Sequence, residues 1–179
     1  DRDLPDWMRI SELMWYQQSF YPSWDETFAD ELLQTFGLDP ATKVGKLSRG
    51  KRAQAGLLIA LAHRPDLLIL DEPSSGLDPV VRRDILSAII RTVADEGRTV
   101  IFSSHLLDEV ERVADSVAMI NDGRIAMNDT LDNIRANHHC MTIAGLADDV
   151  DIHAMPGVLQ AERTDAEWEI MCDGAIDAF

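Results

Sequence analysis

Long apolar runs and cysteines are scarce in this chain of 179 residues. No run reaches the ~18 apolar residues that a membrane helix needs, so no membrane-spanning segment is predicted. The two cysteines, Cys140 and Cys172, are too few for a disulfide framework or a zinc site and indicate ordinary thiols in a reducing compartment. No signal peptide is visible, but the chain starts at Asp1 instead of a methionine, so that absence is weak evidence.

Basic residues are also scarce, with 16 Lys and Arg against 32 Asp and Glu and a net charge of −16. Nucleic-acid binding depends on clustered Lys and Arg that contact phosphates, so the charge argues against a nucleic-acid partner. Part of the excess is local, because the 40 residues from Cys140 to Phe179 hold nine acids and one base, Arg163. This segment is expected to present a solvated acidic surface.

The first 40 residues are rich in aromatic side chains and have a helical pattern. Bulky rings are crowded into one stretch: Trp7, Trp15, Tyr16, Phe20, Tyr21 and Trp24. After Asp25, apolar residues recur with helical spacing at Phe28, Leu32, Leu33 and Phe36, and Gly37 ends the helix. Aromatic rings can stack on bases, but without positive charge we expect them to form a small helical core.

From Lys46 to Ser103 the pattern changes to alternating helices and strands. Ser48 is placed to cap a helix, and the short apolar run Leu67–Leu70 indicates a strand buried on both faces. Asp78-Pro79 opens a second helix, whose apolar residues are Ile85, Leu86, Ile89, Ile90 and Val93. A second buried strand is predicted from Thr99 to Ser103. Strand, helix and strand in this order form a βαβ unit with parallel strands.

The rest of the chain is predicted to be hairpins and short helices. A helix over Leu106–Ala114 precedes a strand over Ser116–Ile120, and Asn121-Asp122-Gly123 is a strong hairpin turn leading into residues 124–127. Thr130 caps a last helix that ends near Asn137. Beyond it, three short alternating segments predict a small β-rich appendage, at Met141–Ile143, Val158–Ala161 and Trp168–Met171.

Four motifs in the middle of the chain carry functional groups. Asp71 and Glu72 end a buried strand, at the sheet edge where α/β folds bind ligands. Leu47-Ser48-Arg49-Gly50-Lys51 stands at a helix N-terminus, which favours anions. Ser74-Ser75-Gly76-Leu77-Asp78 follows the two acids, and Ser103-Ser104-His105 ends the next strand, which would bring His105 to the same edge as Glu72. Each motif alone is common, but their order and spacing together are specific.

With these motifs the sequence resembles the nucleotide-binding subunit of ABC transporters, over about residues 1–137 and most sharply from Leu47 to His105. The signature is usually Leu-Ser-Gly-Gly-Gln, and this chain departs from it at Arg49 and Lys51. Such departures, together with the segment Phe20–Asp25, are similar to exporters of the ABC-2 type. The resemblance implies an α/β fold, the P-loop NTPase (RecA-like) ABC ATPase core. It further implies a helical subdomain over residues 1–45, the core with signature, Walker B, D-loop and H-loop over 46–137, and an accessory C-terminal region over 138–179.

The same resemblance implies a role for each motif residue. Asp71 would hold Mg²⁺, Glu72 would act as the general base that polarises the attacking water, and His105 would contact the γ-phosphate of ATP. Ser48 and Gly50 would complete the ATP site of a partner subunit, and Asp78 would both cap its helix and link the two sites of the dimer. Lys51 is expected either to add positive charge there or to be solvated.

The implied protein is an ATP-hydrolysing subunit that forms a head-to-tail dimer with a second ATPase subunit and powers a separate integral membrane permease. The resemblance implies export as the direction of transport. It would be cytoplasmic and peripheral on the inner face of the membrane. Two alternatives stay open: an ABC ATPase of translation or DNA maintenance, and a non-catalytic fragment.

The phosphate-binding loop Gly-x-x-x-x-Gly-Lys-Ser/Thr occurs nowhere in the sequence. We therefore expect an N-terminal lobe that precedes Asp1 in the complete protein. Without it, the 179 residues would leave apolar surface uncovered. On their own they are expected to bind ATP poorly, hydrolyse none and tend to aggregate.

Overall fold

The computed structural model describes residues 4–94, 97–145, 151–164 and 167–173. Its contacts divide the chain into two units, Asp1–Val113 and Ala114–Phe179. The first unit contains five helices and two strands in its described part: α1 (Ile10–Gln18), α2 (Glu26–Thr35), α3 (Arg49–Leu61), β1 (Leu67–Leu70), α4 (Pro79–Ala94), β2 (Thr99–Phe102) and α5 (Leu107–Val113). A short 3-10 turn, Val44–Lys46, precedes α3.

The second unit consists of a hairpin, a helix and a small sheet. Its described elements are β3 (Ser116–Asn121), β4 (Arg124–Thr130), α6 (Leu131–Asn137), β5 (His138–Ala144), a 3-10 turn (Ile152–Ala154), β6 (Val158–Thr164) and β7 (Glu167–Asp173). The predicted β-rich appendage corresponds to the antiparallel sheet of order β5-β7-β6. The predicted boundary between the ATPase core and the accessory region, after residue 137, stays a prediction. The two units are defined only by contacts within the chain and not by function.

One hydrophobic core holds the first unit together. Helix α2 contributes Phe28, Leu32 and Leu33, as its spacing predicts, and α3 contributes Leu57 and Leu58. Each of these helices begins at a side-chain cap: Asp25 Oδ1 accepts from the backbone N–H of Phe28 at 2.9 Å. Capping satisfies amide donors that the first helical turn leaves unpaired.

The aromatic stretch does not form the predicted helical core. Trp7 and Trp15 are each 70% exposed and Phe20 is 61% exposed. The reason is that helix α1 packs into the unit through Ile10 and Leu13. Trp15 is on the exposed side of the same helix. The expectation was wrong in this respect, and a broad aromatic surface lies on the helical part of the unit.

Strands β1 and β2 pair in parallel, with Leu67 opposite Thr99 and Leu70 opposite Phe102, which confirms the predicted βαβ unit. The prediction that strand β1 is buried on both faces was wrong, however. Leu68 and Leu70 are buried in the core, while Leu67 and Ile69 are 50% and 68% exposed. Successive side chains of a strand point to opposite faces, and the buried pair shares one core with α3 and α4.

Helix α4 also buries less than its pattern predicts. Ile85 and Ile89 are fully buried, whereas Ile90 is 36% exposed. The side chain of Val93 lies outside the described residues. None of the helices that the structure describes is both long and apolar enough to cross a membrane.

The predicted hairpin turn of the second unit is confirmed. Asn121 pairs with Arg124, and Asp122 and Gly123 both have positive φ, 48° and 72°, as a type I′ turn requires. Thr130 caps α6, because its hydroxyl oxygen accepts from the Asn133 N–H at 3.2 Å. Both strands extend past their predicted ends, β3 to Asn121 and β4 to Thr130.

Candidate active site at the carboxyl ends of two parallel strands

The candidate site lies where β1 and β2 end side by side. Leu70 is paired with Phe102, and the Ser103 N–H extends the ladder by donating to the Leu70 carbonyl at 2.9 Å. The residue after each strand is therefore fixed beside its neighbour. This register positions Asp71 and Ser103 as the first residues of two adjacent loops.

The Ser103 hydroxyl connects the two acids. It donates to Asp71 Oδ1 at 2.7 Å and accepts from the backbone N–H of Glu72 at 2.8 Å. Hydrogen bonds to a carboxylate are stronger than those between neutral groups, so the serine fixes the orientation of Asp71 while it holds the Glu72 backbone. The motif Ser103-Ser104-His105 was noted in the sequence, but nothing there assigns this role to its first serine.

Glu72 and His105 are in direct contact. His105 Nδ1 lies 2.7 Å from Glu72 Oε2, and their side chains are 61% and 37% exposed, respectively. A tautomer with hydrogen on Nδ1 donates to the carboxylate and leaves Nε2 for another partner. The expectation that the strand ends bring these two side chains together is therefore met, and the acid–imidazole pair is open to solvent.

The backbone of Glu72 is unusual, with a φ of +45°. Non-glycine residues in this left-handed region cost on the order of 1 kcal/mol or more, and they concentrate at functional sites. The conformation interrupts the strand alternation expected for the two acids. It also brings the Glu72 N–H to Ser103, while the side chain of Glu72 meets His105.

The signature segment, Leu47–Lys51, forms the start of α3. Ser48 is the N-cap, and its hydroxyl oxygen accepts from the Lys51 N–H at 3.3 Å. Ser48 is exposed, whereas Gly50 is buried, and a Cβ on Gly50 would lie only 3.1 Å from a methyl group of Val81. Glycine at this position therefore permits close packing of α3 against α4.

The two departures from the usual signature have contacts within the chain. The Arg49 guanidinium donates to the Ser75 carbonyl at 3.2 Å, and a Cβ on Gly76 would lie 2.7 Å from it. Lys51 donates through Nζ to the Phe36 carbonyl, at the C-terminal end of α2. The ammonium group of Lys51 is therefore bound by a helix end in the same unit, and its role toward a second subunit stays a prediction.

Asp78 is the N-cap of α4. Its Oδ1 accepts from the backbone N–H groups of Val80 and Val81, both at 3.1 Å. The side chain is exposed, which leaves its second carboxylate oxygen accessible. The structure thus brings the predicted residues into two groups: Asp71, Glu72 and His105 lie around Ser103, while Ser48 and Gly50 adjoin the loop that ends at Asp78.

Comparisons with known proteins agree with this geometry. A family described as "AAA domain, putative AbiEii toxin, Type IV TA system" matches residues 3–111. The ABC transporter ATP-binding protein YtrB of Bacillus subtilis is 31% identical over 118 residues, which are 66% of this chain and 40% of YtrB. The chain therefore matches less than half the length of this curated relative.

Two solved structures share the fold. One, described as the structure of the ATP binding subunit of an ABC transporter, has a TM-score of 0.64 and 26% identity, covering 74% of this chain and 57% of that one. The other is a dimeric structure of a bacterial ABC transporter cassette, with a TM-score of 0.62 and 20% identity, covering 72% and 59% of the two chains. The second likeness shows the fold alone.

Proposed function

We propose that this chain, which belongs to this family of AAA-type ATPases and is similar to the ATP-binding subunits of ABC transporters, supplies the hydrolytic half of a transport ATPase. The observation that carries the proposal is the contact of Glu72 with His105 at 2.7 Å, next to Asp71 on the same pair of strands. The network accounts for the polar residues at this sheet edge with one reaction, hydrolysis of the γ-phosphate of ATP.

Glu72 is the proposed general base. Its carboxylate accepts the proton of the attacking water as the new P–O bond forms and the bond to ADP breaks. His105 contacts the carboxylate through Nδ1, and its Nε2 remains for the γ-phosphate, to which it donates when both ring nitrogens carry hydrogen. The pair is exposed, as a site that receives its nucleotide from solution must be.

Asp71 is the proposed magnesium residue. Its Oδ1 is oriented by Ser103, and its carboxylate is the hard oxygen ligand that Mg²⁺ prefers. Within the described ranges there is no cluster of three or more metal-binding side chains, which fits an ion that takes its other ligands from phosphates and water. The ion would neutralise charge on the β- and γ-phosphate oxygens.

Ser48, Gly50 and Asp78 are proposed to act across a head-to-tail dimer. Ser48 stands exposed at the N-terminus of a 13-residue helix, where the helix dipole favours an anion. The likeness to a dimeric cassette fold supports the proposal that this end completes the ATP site of a second subunit. Asp78, on the adjoining loop, would then link the two sites.

The exposed aromatic surface is the proposed contact for a membrane permease. Trp7, Trp15 and Phe20 are each more than half exposed, and aromatic side chains are enriched at protein interfaces. We place the subunit at the cytoplasmic face of the membrane, as part of an exporter. The direction of transport is proposed from the resemblance of residues 20–25 and 47–51 to ABC-2 exporters.

The test uses the complete protein with its permease. Wild type should hydrolyse ATP, and Glu72→Gln should lose at least about a hundredfold in kcat while retaining ATP, because a general base contributes about 10²–10⁴-fold. ATP-dependent dimers of this variant should persist in size-exclusion chromatography. Rapid hydrolysis by Glu72→Gln would remove Glu72 from the role of base.

A further inference from the structure

Glu109 is a buried carboxylate that the proposed reaction does not use. It lies in α5 and is 0% exposed. A buried charge is costly unless partners surround it, so the identity of its partners indicates why an acid occupies this position. The sequence offers no sign of this burial, since Asp108, Glu109 and Glu111 read together as a solvated acidic turn.

Two serine hydroxyls donate to Glu109. Ser74 Oγ lies 2.6 and 2.7 Å from the two carboxylate oxygens, and Ser104 Oγ lies 2.9 Å from Oε2. Arg82 of α4 adds an ion pair, with its Nε 3.5 Å from Oε1. One carboxylate therefore binds three separate segments of the unit.

The two segments that contribute the serines also carry proposed functional residues. Ser74 comes two residues after Glu72 and begins the loop that ends at Asp78, and Ser104 directly precedes His105. The Ser104 hydroxyl also accepts from the Leu106 N–H at 3.1 Å, which fixes the backbone on the other side of His105. Glu109 thus binds the side chains of Ser74, two residues after Glu72, and of Ser104, directly before His105.

We propose that Glu109 is a positioning residue for ATP hydrolysis: it fixes His105 relative to Glu72 and couples that pair to the loop ending at Asp78. This inference rests on the proposed function. A buried acid that only stabilised the fold could have bound helix ends or arginines elsewhere. Here the two serine hydroxyls that donate to it belong to the two loops whose relative position sets the acid–imidazole distance.

The test measures kcat and KM for ATP in the complete protein assembled with its partners. Glu109→Gln keeps the shape of the side chain but removes its charge, and it turns one acceptor toward the serine hydroxyls into a donor. We expect kcat to fall by about tenfold or more with KM changed by less than about twofold, because the loss concerns geometry and not nucleotide binding. Asp108→Asn, which removes an exposed acid one residue earlier in the same helix, is the matched control and should leave both constants unchanged.

A second background separates positioning from general stability. In a His105→Ala protein, Glu109→Gln should reduce single-turnover hydrolysis by less than about twofold, because residues that act through one another are not additive. Equal losses in both backgrounds, or an unchanged kcat in the single variant, would overturn the inference.

If Glu109→Gln does not fold, Ser104→Ala takes its place, since it removes one of the two hydroxyl donors and leaves the other. A smaller loss of kcat with the same dependence on His105 is expected, and full activity would overturn the inference. Absence of ATP hydrolysis in wild type would instead refute the proposed function.

Discussion

The hydrolytic cluster (Asp71, Glu72, Ser103 and His105) and the signature segment differ in where their binding partners come from. The cluster is assembled within one chain, where a single hydroxyl joins both acids and an imidazole orients the second acid. In the signature segment, the hydroxyl of Ser48 caps its own helix and Arg49 anchors the neighbouring loop. One region is preorganised by strand pairing, whereas the other presents a helix end whose proposed function requires a second surface.

The largest loss of activity is expected from substitution of Ser103. Ser103→Ala removes the hydrogen bonds to Asp71 and to the Glu72 N–H, and we expect kcat to fall by about tenfold to a hundredfold, since small displacements of reacting groups have effects of this size. Steady-state ATP hydrolysis by the complete protein measures it. Ser103→Thr keeps the hydroxyl and should retain most activity, and Ser87→Ala, on the exposed side of α4, should be neutral. A fully active Ser103→Ala would show that strand pairing alone positions the acids.

Arg49 tests how strongly the site depends on the contact between the signature segment and the loop from Ser74 to Asp78. Arg49→Ala removes one exposed hydrogen bond to the Ser75 carbonyl, so we expect a loss of only about twofold to fivefold in ATP hydrolysis, consistent with the modest net energy of such a bond. Arg83→Ala, an exposed arginine of α4, is the control. A loss as large as that of Ser103→Ala would contradict the expectation that this single exposed hydrogen bond contributes only modestly to hydrolysis.

The smallest effect is expected away from both regions, at the cap of α2. Hydrogen bonds from the Phe28 N–H and then from Arg64 hold the pKa of Asp25 below its ordinary value. A carboxyl with a lowered folded-state pKa contributes stability above its ordinary pKa, and that stability is lost as the pH falls through the folded-state value. Asp25→Asn should therefore lower the melting temperature of the complete protein slightly at about pH 7, and the difference from wild type should shrink toward about pH 3.

Asp25 is about one-third exposed, so solvent screening keeps the effect small. Asp30→Asn, an exposed acid of the same helix, should change neither value. A difference from wild type that is constant with pH would show that the charge of Asp25 contributes nothing and that the side chain acts only through its shape.

The strand and helix framework could be predicted because its signals are local. The apolar run at Leu67–Leu70, the cap at Ser48 and the turn at Asp122-Gly123 each have a physical cause within a few residues. Uncovered apolar surface was expected, but which faces are exposed could not be predicted, because nothing in the spacing of Ile69 distinguishes a covered strand face from an open one. The prediction that Trp7 and Trp15 belong to a helical core was wrong for the same reason. The identity of an apolar side chain does not indicate which other residues, if any, cover it.

For the site, the sequence identified the charged residues Asp71, Glu72 and His105. It did not identify the residues that orient them through hydrogen bonds. Asp71, Glu72 and His105 belong to recognisable motifs, and parallel pairing brings them together. Ser103 and Glu109 act through contacts between loops that are about 30 residues apart in the chain, and a serine or an acid in such a loop has no distinguishing neighbours. Supporting residues of this kind become visible only in three dimensions.

The central claim, that one chain supplies the hydrolytic cluster and another the signature, is tested most directly with mixed dimers. Glu72→Gln and Ser48→Arg should each abolish single-turnover ATP hydrolysis when present in both subunits. Mixed in equal amounts, they should recover about a quarter of the wild-type burst, because about half the dimers are mixed and each mixed dimer has one intact site. No recovery in verified mixed dimers would contradict the account, since both residues would then serve the same chain's site.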